Sequence, residues 1–256
     1  MLIDSHCHID APEFDADRAV VIAAAHASGV HGLLVPAVDR ASWERIALLA
    51  DADANIYPAY GLHPMFLDQH ADADTEALAQ WVTTHRCSAI GECGLDHYVP
   101  GLDPAHQLRV LRPQLELARE LDLPVILHAR RALEPLLAEI RRVGRLRGIV
   151  HSFAGSSEQA QQWCAQGFLL GFGGPVTYER AARLRRVVTT LPLEYLLLET
   201  DAPDQPLHGH QGQRNTPERL VDVLNCVAAL RSIEPSALAA ATSRNLMALI
   251  GVQNAA

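Results

Sequence analysis

The 256-residue chain contains no lysine, and all 21 of its basic residues are arginine. This absence excludes Schiff-base catalysis, a phosphate-loop lysine and a carbamylated lysine bridging two metals. Long apolar runs are missing too. No run reaches the ~18 residues of a membrane span, and the N-terminus MLIDSHCHID has neither a basic segment nor an apolar stretch of signal-peptide type. Cysteine is sparse: Cys7, Cys87, Cys93, Cys164 and Cys226 are odd in number and form no CxxC pair, which argues against a disulfide framework or a cysteine-only zinc site. The expectation is a cytoplasmic protein without membrane contact. Positive charge is also short. A net charge of −9 argues against tight, extended binding to duplex nucleic acid.

What is present suits a large buried core: 49% of residues are hydrophobic and 20% are charged. Short apolar runs recur, each followed by a stretch of helical periodicity, as in parallel βα units. Eight strands are predicted: Leu2–Ser5, Gly32–Ala37, Ile56–Leu62, Ser88–Glu92, Pro124–His128, Gly148–His151, Phe168–Phe172 and Tyr195–Thr200. Helices are predicted over Asp15–Ser28, Ala41–Ala50, Thr75–Thr84, Asp103–Leu121, Ala132–Val143 and Ser156–Ala165. Gly29, Gly144 and Gly167 serve as stops. Thr216–Pro217 reads as an N-cap and N1 pair opening a helix to Arg231, and Pro235–Ile250 forms the last. The pattern predicts a single-domain TIM (β/α)₈ barrel over residues 1–256, with a doubly wound open sheet as the alternative.

The acids and histidines fall at the C-terminal ends of these strands, where a barrel gathers its active-site residues. His6 and His8 follow the first strand, Glu92 ends the fourth, His128 the fifth, His151 the sixth, and Asp201 follows the eighth. In extended chain His6 and His8 share a face and Cys7 takes the other. Four imidazoles and two carboxylates in a water-poor mouth call for a positive centre among them, and a divalent metal is the simplest. Six ligands exceed the three of a single catalytic zinc and suit two divalent metal ions about 3.5–4 Å apart. With no lysine available, the bridging anion falls to Glu92. Zn²⁺, Mn²⁺ and Mg²⁺ all suit this donor set. Glu92 and Asp201 are the expected catalytic groups, Asp201 taking the proton of an attacking water.

Eight segments then resemble the TatD family of metal-dependent deoxyribonucleases, within the amidohydrolase-like metal barrels. They are DSHCHID (4–10), YGLHP (60–64), AIGECGLDHY (89–98), PVILHAR (124–130), GIVHSFAGS (148–156), GFGGPVTYERA (171–181), LLLETDAPD (196–204) and RNTPERL (214–220). The resemblance implies a barrel with two divalent metals that hydrolyses phosphodiester bonds, in some members as a 3′–5′ exonuclease on DNA. Carried over, His6 and His8 hold the first metal, Glu92 bridges, His128 and His151 hold the second, and Asp201 lies beside the nucleophilic water. His63 is placed near the substrate phosphate. Met65 stands where some members carry a second histidine, and some of those lack the HxH pair present here.

The expected partner is a DNA strand end or a nucleotide-like phosphoester, taken by a monomer. Arg130 and Arg131, next to His128, and Arg214, in the loop after the eighth strand, are the phosphate-contact candidates. Phe66, Tyr98, Phe153, Phe172 and Tyr178 are rim aromatics that could stack on bases, Phe153 and Tyr178 foremost. Two other functions fit the same residues. One is a hydrolase of a small non-nucleic-acid ester, lactone, amide or phosphoester; the other is a metal-stabilised binding protein without turnover.

Overall fold

The computed structural model describes residues 1–71 and 73–251. Its eight parallel strands are β1 (Leu2–Asp4), β2 (Val30–Pro36), β3 (Ile56–Tyr60), β4 (Ala89–Asp96), β5 (Val125–Arg130), β6 (Gly148–Val150), β7 (Phe168–Phe172) and β8 (Leu196–Leu198). They follow one another in sequence order around one sheet. The seam between β8 and β1 is closed by backbone bonds from Ser5 N to the Leu198 carbonyl (3.0 Å) and from Asp201 N to the His6 carbonyl (2.9 Å). Asp4 adds to the seam, accepting from Thr200 N (3.0 Å) and Thr200 Oγ1 (2.5 Å). The fold is the TIM barrel expected from the alternation.

The helices are α1 (Arg18–Ser28), α2 (Trp43–Ala52), α3 (Asp74–Thr84), α4 (Pro104–Glu120), α5 (Leu133–Val143), α6 (Ser157–Cys164), α7 (Ala182–Thr190), α8 (Leu220–Arg231) and α9 (Pro235–Leu249). Local chemistry sets several of their ends. Ser156 and Gln159 form a reciprocal capping box on α6, Asp103 accepts from Ala105 N ahead of α4, and α1 stops at Gly29 with φ of 100°. At α8 the expectation needs correcting in detail. Pro217 opens a short 3₁₀ turn, Pro217–Arg219, and Thr216 makes no side-chain cap bond. Helix α7 has no counterpart among the sequence-predicted elements. It has no capping side chain, and its arginines leave only a narrow apolar stripe, with Val187 and Val188 buried.

Strand alternation divides the core into two layers. Leu33, Val35, Val125, Leu127, Val150 and Leu170 face outward to helix residues such as Leu115, Leu136 and Trp163. Ile3, Leu34, Ala89, Ile126, Ile149 and Leu197 face inward, where Leu246 and Met247 of α9 pack against them. Asn245 ties α9 to the start of β8 through the Leu193 and Leu196 carbonyls, and Ser243 Oγ donates to the Met1 carbonyl. Helix α9 therefore covers the N-terminal end of the barrel and leaves the C-terminal mouth open.

Candidate metal centre

Two breaks in alternation aim the key side chains. Continued alternation from Ile3 would turn His6 outward, with Leu2. Instead β1 ends at Asp4, whose Oδ1 accepts the His6 amide (3.2 Å) in an Asx-type turn. Beyond that turn Cys7 is buried in the outer layer while His6 and His8 face the mouth. In β4 the pairing slips: Ile90 pairs with Val125 but Cys93 pairs with Leu127, so β4 holds one extra residue. This bulge turns Cys93 and Leu95 outward and Glu92 inward. β4 also runs four residues beyond its predicted end, to Asp96, because Gly94 lets it lie against β5. A Cβ on Gly94 would stand 2.0 Å from the His128 carbonyl, and its φ is +152°.

Glu92, 1% exposed, occupies the centre. Its Oε2 lies 3.0 Å from His6 Nε2 and 3.4 Å from His8 Nε2; Asp201 Oδ1 lies 3.5 and 3.6 Å from the same two nitrogens. Its Oε1 faces a different set: His151 Nε2 at 2.8 Å, His128 Nδ1 at 3.2 Å and His63 Nε2 at 3.1 Å. His6, His8 and Asp201 form one group whose ligand atoms are close enough to hold an ion, and Glu92 joins two further groups, with His6 and His151 and with His63 and His128.

Hydrogen bonds outside the cluster fix the tautomers. His8 Nδ1 donates to the Pro36 carbonyl (3.1 Å) and His128 Nε2 to Asp96 Oδ2 (2.9 Å), leaving the lone pairs of His8 Nε2 and His128 Nδ1 pointing at the centre. His63 is set the other way. Its Nδ1 accepts from Met65 N (3.2 Å), so Nε2 carries the proton and donates to Glu92. His6 and His151 stack with ring centroids 3.9 Å apart, and His6 Nε2 lies 3.1 Å from His8 Nε2. Neither His6 Nδ1 nor His151 Nδ1 has a hydrogen-bond partner among the described residues. Converging lone pairs this close fit divalent cations, which satisfy several imidazoles at once as protons cannot.

The electrostatics are those of a crowded, dry cluster. Burial opposes ionisation of Glu92, yet the imidazoles of His151, His63 and His6 hold its carboxyl well below the usual range. Burial and the neighbouring His128 push His63 down to about 4, despite the attraction of Glu92. Two further acids support the ring. Burial disfavours the charged form of Asp96, but bonds from His128, Val99 N and Tyr98 N overcome it and keep the carboxyl low. Glu199, raised to about 8 by burial, accepts from Ser152 N (2.5 Å), and a Cβ on Gly171 would occupy the place of its Oε2.

A family model described as TatD related DNase matches residues 3–251. The chain belongs to the TatD family. It is 40% identical over 255 residues to the protein named uncharacterized metal-dependent hydrolase YjjV of Escherichia coli (strain K12), covering 98% of both chains. The crystal structure of E. coli YjjV superposes with a TM-score of 0.94 at 39% identity, again over 98% of each chain. The chain is also 32% identical over 262 residues to a Shigella flexneri (serotype 5b) protein named 3′-5′ ssDNA/RNA exonuclease TatD, covering 98% of this chain and 99% of that one.

This TatD protein is a metal-dependent hydrolase, and the mouth around its cluster of imidazoles and carboxylates is a cavity of about 1330 Å³. Arg130, Arg131, His63, Phe66 and Tyr98 line it. Both guanidinium groups lie over the Tyr98 ring, at 3.8 and 4.6 Å from its centroid, and neither has a carboxylate within ion-pair distance among the described residues. Arg214 is elsewhere. Asp17 holds it in a two-pronged pair (3.0 and 2.6 Å), the Glu13 carbonyl takes a further bond, and Phe14 lies beneath it, so it ties the β8–α8 loop to the start of α1 outside the cavity wall. Phe153 and Phe172 are buried edge to face in the outer core, and Tyr178 donates its hydroxyl to the Pro206 carbonyl. Of the five rim aromatics only Phe66 and Tyr98 face the cavity.

Asp96, Glu199 and Asp4 were not singled out from the sequence. For Asp96 a signal existed: it shares alternation with Glu92 once the strand is extended through Gly94. Asp4 and Glu199 carried a weaker one, an acid within or bordering an apolar run. No helix among the described residues is long and apolar enough to cross a membrane.

Proposed function

We propose that this protein hydrolyses phosphodiester bonds at the end of a single nucleic-acid strand, as a 3′–5′ exonuclease, with two divalent metals held by His6, His8, Glu92, His128, His151 and Asp201. The observation that carries the two-metal reading is the division of Glu92: one oxygen faces His6 and His8, the other His128 and His151. Bound there, divalent cations supply Lewis acidity toward a phosphoryl oxygen and acidify water.

The chain's own groups do the rest. Asp201 is positioned by Gln205, which donates to Asp201 Oδ2, while Oδ1 faces His6 and His8. Asp201 accepts the proton of the attacking water. His63 donates to Glu92 and orients the bridge from the cavity side. Arg130 and Arg131, held flat by Tyr98 with no competing carboxylate, receive the phosphates of the strand, and Phe66 offers a face for a base. The Shigella relative's name points to the same substrate class.

The test uses protein stripped of metal and reloaded with Zn²⁺, Mn²⁺ or Mg²⁺. It is assayed on 5′-labelled single-stranded DNA, a chromogenic phosphodiester and a lactone panel. Stepwise shortening from the 3′ end is expected. Lactone turnover with neither phosphodiester cleaved would overturn the reading.

A further inference from the structure

The mouth cavity is divided by charge, and the division follows the strand order. The arc built after β4 to β7 presents Arg130, Arg131 and Arg183, with one acid, Glu134, whose Oε1 accepts from Gln159 (3.0 Å). The opposite arc, built after β8, β1 and β2, presents Asp204, Asp10, Glu13 and Asp39, with one base, Arg45. Arg45 donates to the Asp10 carbonyl (3.1 Å) and lies 3.9 Å from Asp15, outside the cavity wall. Glu13 and Asp204 are exposed and have no ion-pair partner among the described residues. The ligand cluster lies between the arcs, with His8 and Asp201 on the acidic side and His63 and His128 toward the basic one.

Asp10 supplies a second, independent observation. It is 5% exposed, it lines the cavity, and its Oδ1 has no hydrogen-bond partner among the described residues. Arg18 and Arg45 are close by but bond its carbonyl, not its carboxylate. A buried acceptor left without a donor is costly, and a ligand donor relieves it.

We propose that the acidic arc receives the terminal nucleoside of the strand and selects an end bearing a free hydroxyl over one bearing a phosphate. This rests on the nuclease reading above. The remainder of the strand runs along Arg130, Arg131 and Arg183, where its phosphates find unpaired cations. Past the scissile bond a hydroxyl donates to Asp10 Oδ1. A terminal phosphate would instead bring close to two negative charges against Asp10, Glu13, Asp39 and Asp204. The same repulsion keeps a continuing strand out, which confines cleavage to ends.

The experiment compares three single-stranded oligonucleotides of one sequence, ending in a 3′-hydroxyl, a 3′-hydrogen or a 3′-phosphate. They are tested on metal-loaded wild type and on a Glu13→Gln/Asp39→Asn/Asp204→Asn variant. Asn at 39 keeps an acceptor for the Ser42 amide, so the variant folds. In wild type kcat/KM should fall in the order hydroxyl, hydrogen, phosphate, each step about tenfold. The variant should raise cleavage of the phosphate end about tenfold, through KM, and so lower the hydroxyl-to-phosphate ratio by about the same factor. Equal rates on any two ends in wild type, or an unchanged hydroxyl-to-phosphate ratio in the variant, overturn the proposal. Failure to cleave any of the three overturns the nuclease reading and this inference with it; cleavage without discrimination overturns this inference alone.

Discussion

The two ends of the barrel are built from the same eight strands and have opposite characters. At the N-terminal end the inward positions are Ile3, Leu34, Ile149 and Leu197, sealed by Leu246 and Met247, and the register slip there, at Leu2–Ile3 opposite Val30–Gly32, serves only the packing of β1 on β2. At the C-terminal end the inward positions are imidazoles and carboxylates, and two of the strands that supply them depart from regular alternation, β1 at the Asp4 turn and β4 at its bulge. Regular alternation places side chains every second residue along a wall. To bring His6, His8 and Glu92 to one point the wall has to be interrupted, and the interruptions are held by specific hydrogen bonds and glycines. Stability and chemistry are thereby separated along the barrel axis.

That separation can be broken from either end. The largest effect is expected for Glu92→Gln, which removes the charge shared by both imidazole sets. Activity should fall by about 10³-fold or more while the folded state survives. Metal content per chain and kcat/KM on the cleaved substrate, read together, check it; a variant with full metal content and near-normal turnover would show that Glu92 is no bridge. Leu246→Ala attacks the other end. It should cost about 2–5 kcal/mol in urea unfolding, the range for emptying a packed core position, and leave metal content unchanged.

Asp96→Asn sharpens the boundary between the two regions. Asp96 touches no second carboxylate in the cluster but fixes the His128 tautomer and, through Oδ1, the Tyr98 and Val99 amides. Metal affinity should weaken by about 10- to 100-fold, measurable by competition with a chelating dye, with little change in melting of the metal-free protein. The smallest effect concerns neither end. Arg112 on α4 pairs its Nε and one terminal nitrogen with the two oxygens of Glu139 on α5, and with Arg142 it pulls the Glu139 carboxyl from 4.5 to about 2. Because the folded value is the lower one, this contribution is complete above pH 4.5 and disappears as the pH falls through about 2. Arg112→Ala should remove the larger part of that acid dependence and change stability little at neutral pH, since the arginine is largely solvated; urea unfolding compared at acidic and neutral pH checks it.

Much of this arrangement is visible in the residues alone. Eight apolar runs with helical stretches between them carry the barrel, and the strand ends carry His6, His8, Glu92, His128, His151 and Asp201, which the fold brings together. Helix α7 keeps helical spacing in Leu184, Val187 and Val188, but at nine residues it has neither a capping side chain nor a stop glycine to mark its ends. Arg214 was expected at the mouth from its loop, but which carboxylate claims an arginine depends on a partner 197 positions away. Phe153 and Phe172 stand beside motif residues in sequence; strand alternation sends Phe172 to the buried face, and the turn after β6 packs Phe153 edge to face against it.

By itself, then, the sequence determined the fold class, the absence of a lysine bridge and the acids and histidines that gather at the strand ends, because these follow from composition, periodicity and position along each strand. Tertiary structure decided the rest. The bulge that turns Glu92 inward, the carbonyl of Pro36 and the carboxylate of Asp96 that set two imidazole tautomers, and the charged halves of the mouth all depend on distances between segments far apart in the chain. Hydrogen bonds and Coulomb interactions act over a few ångströms, and only the closed barrel sets those separations.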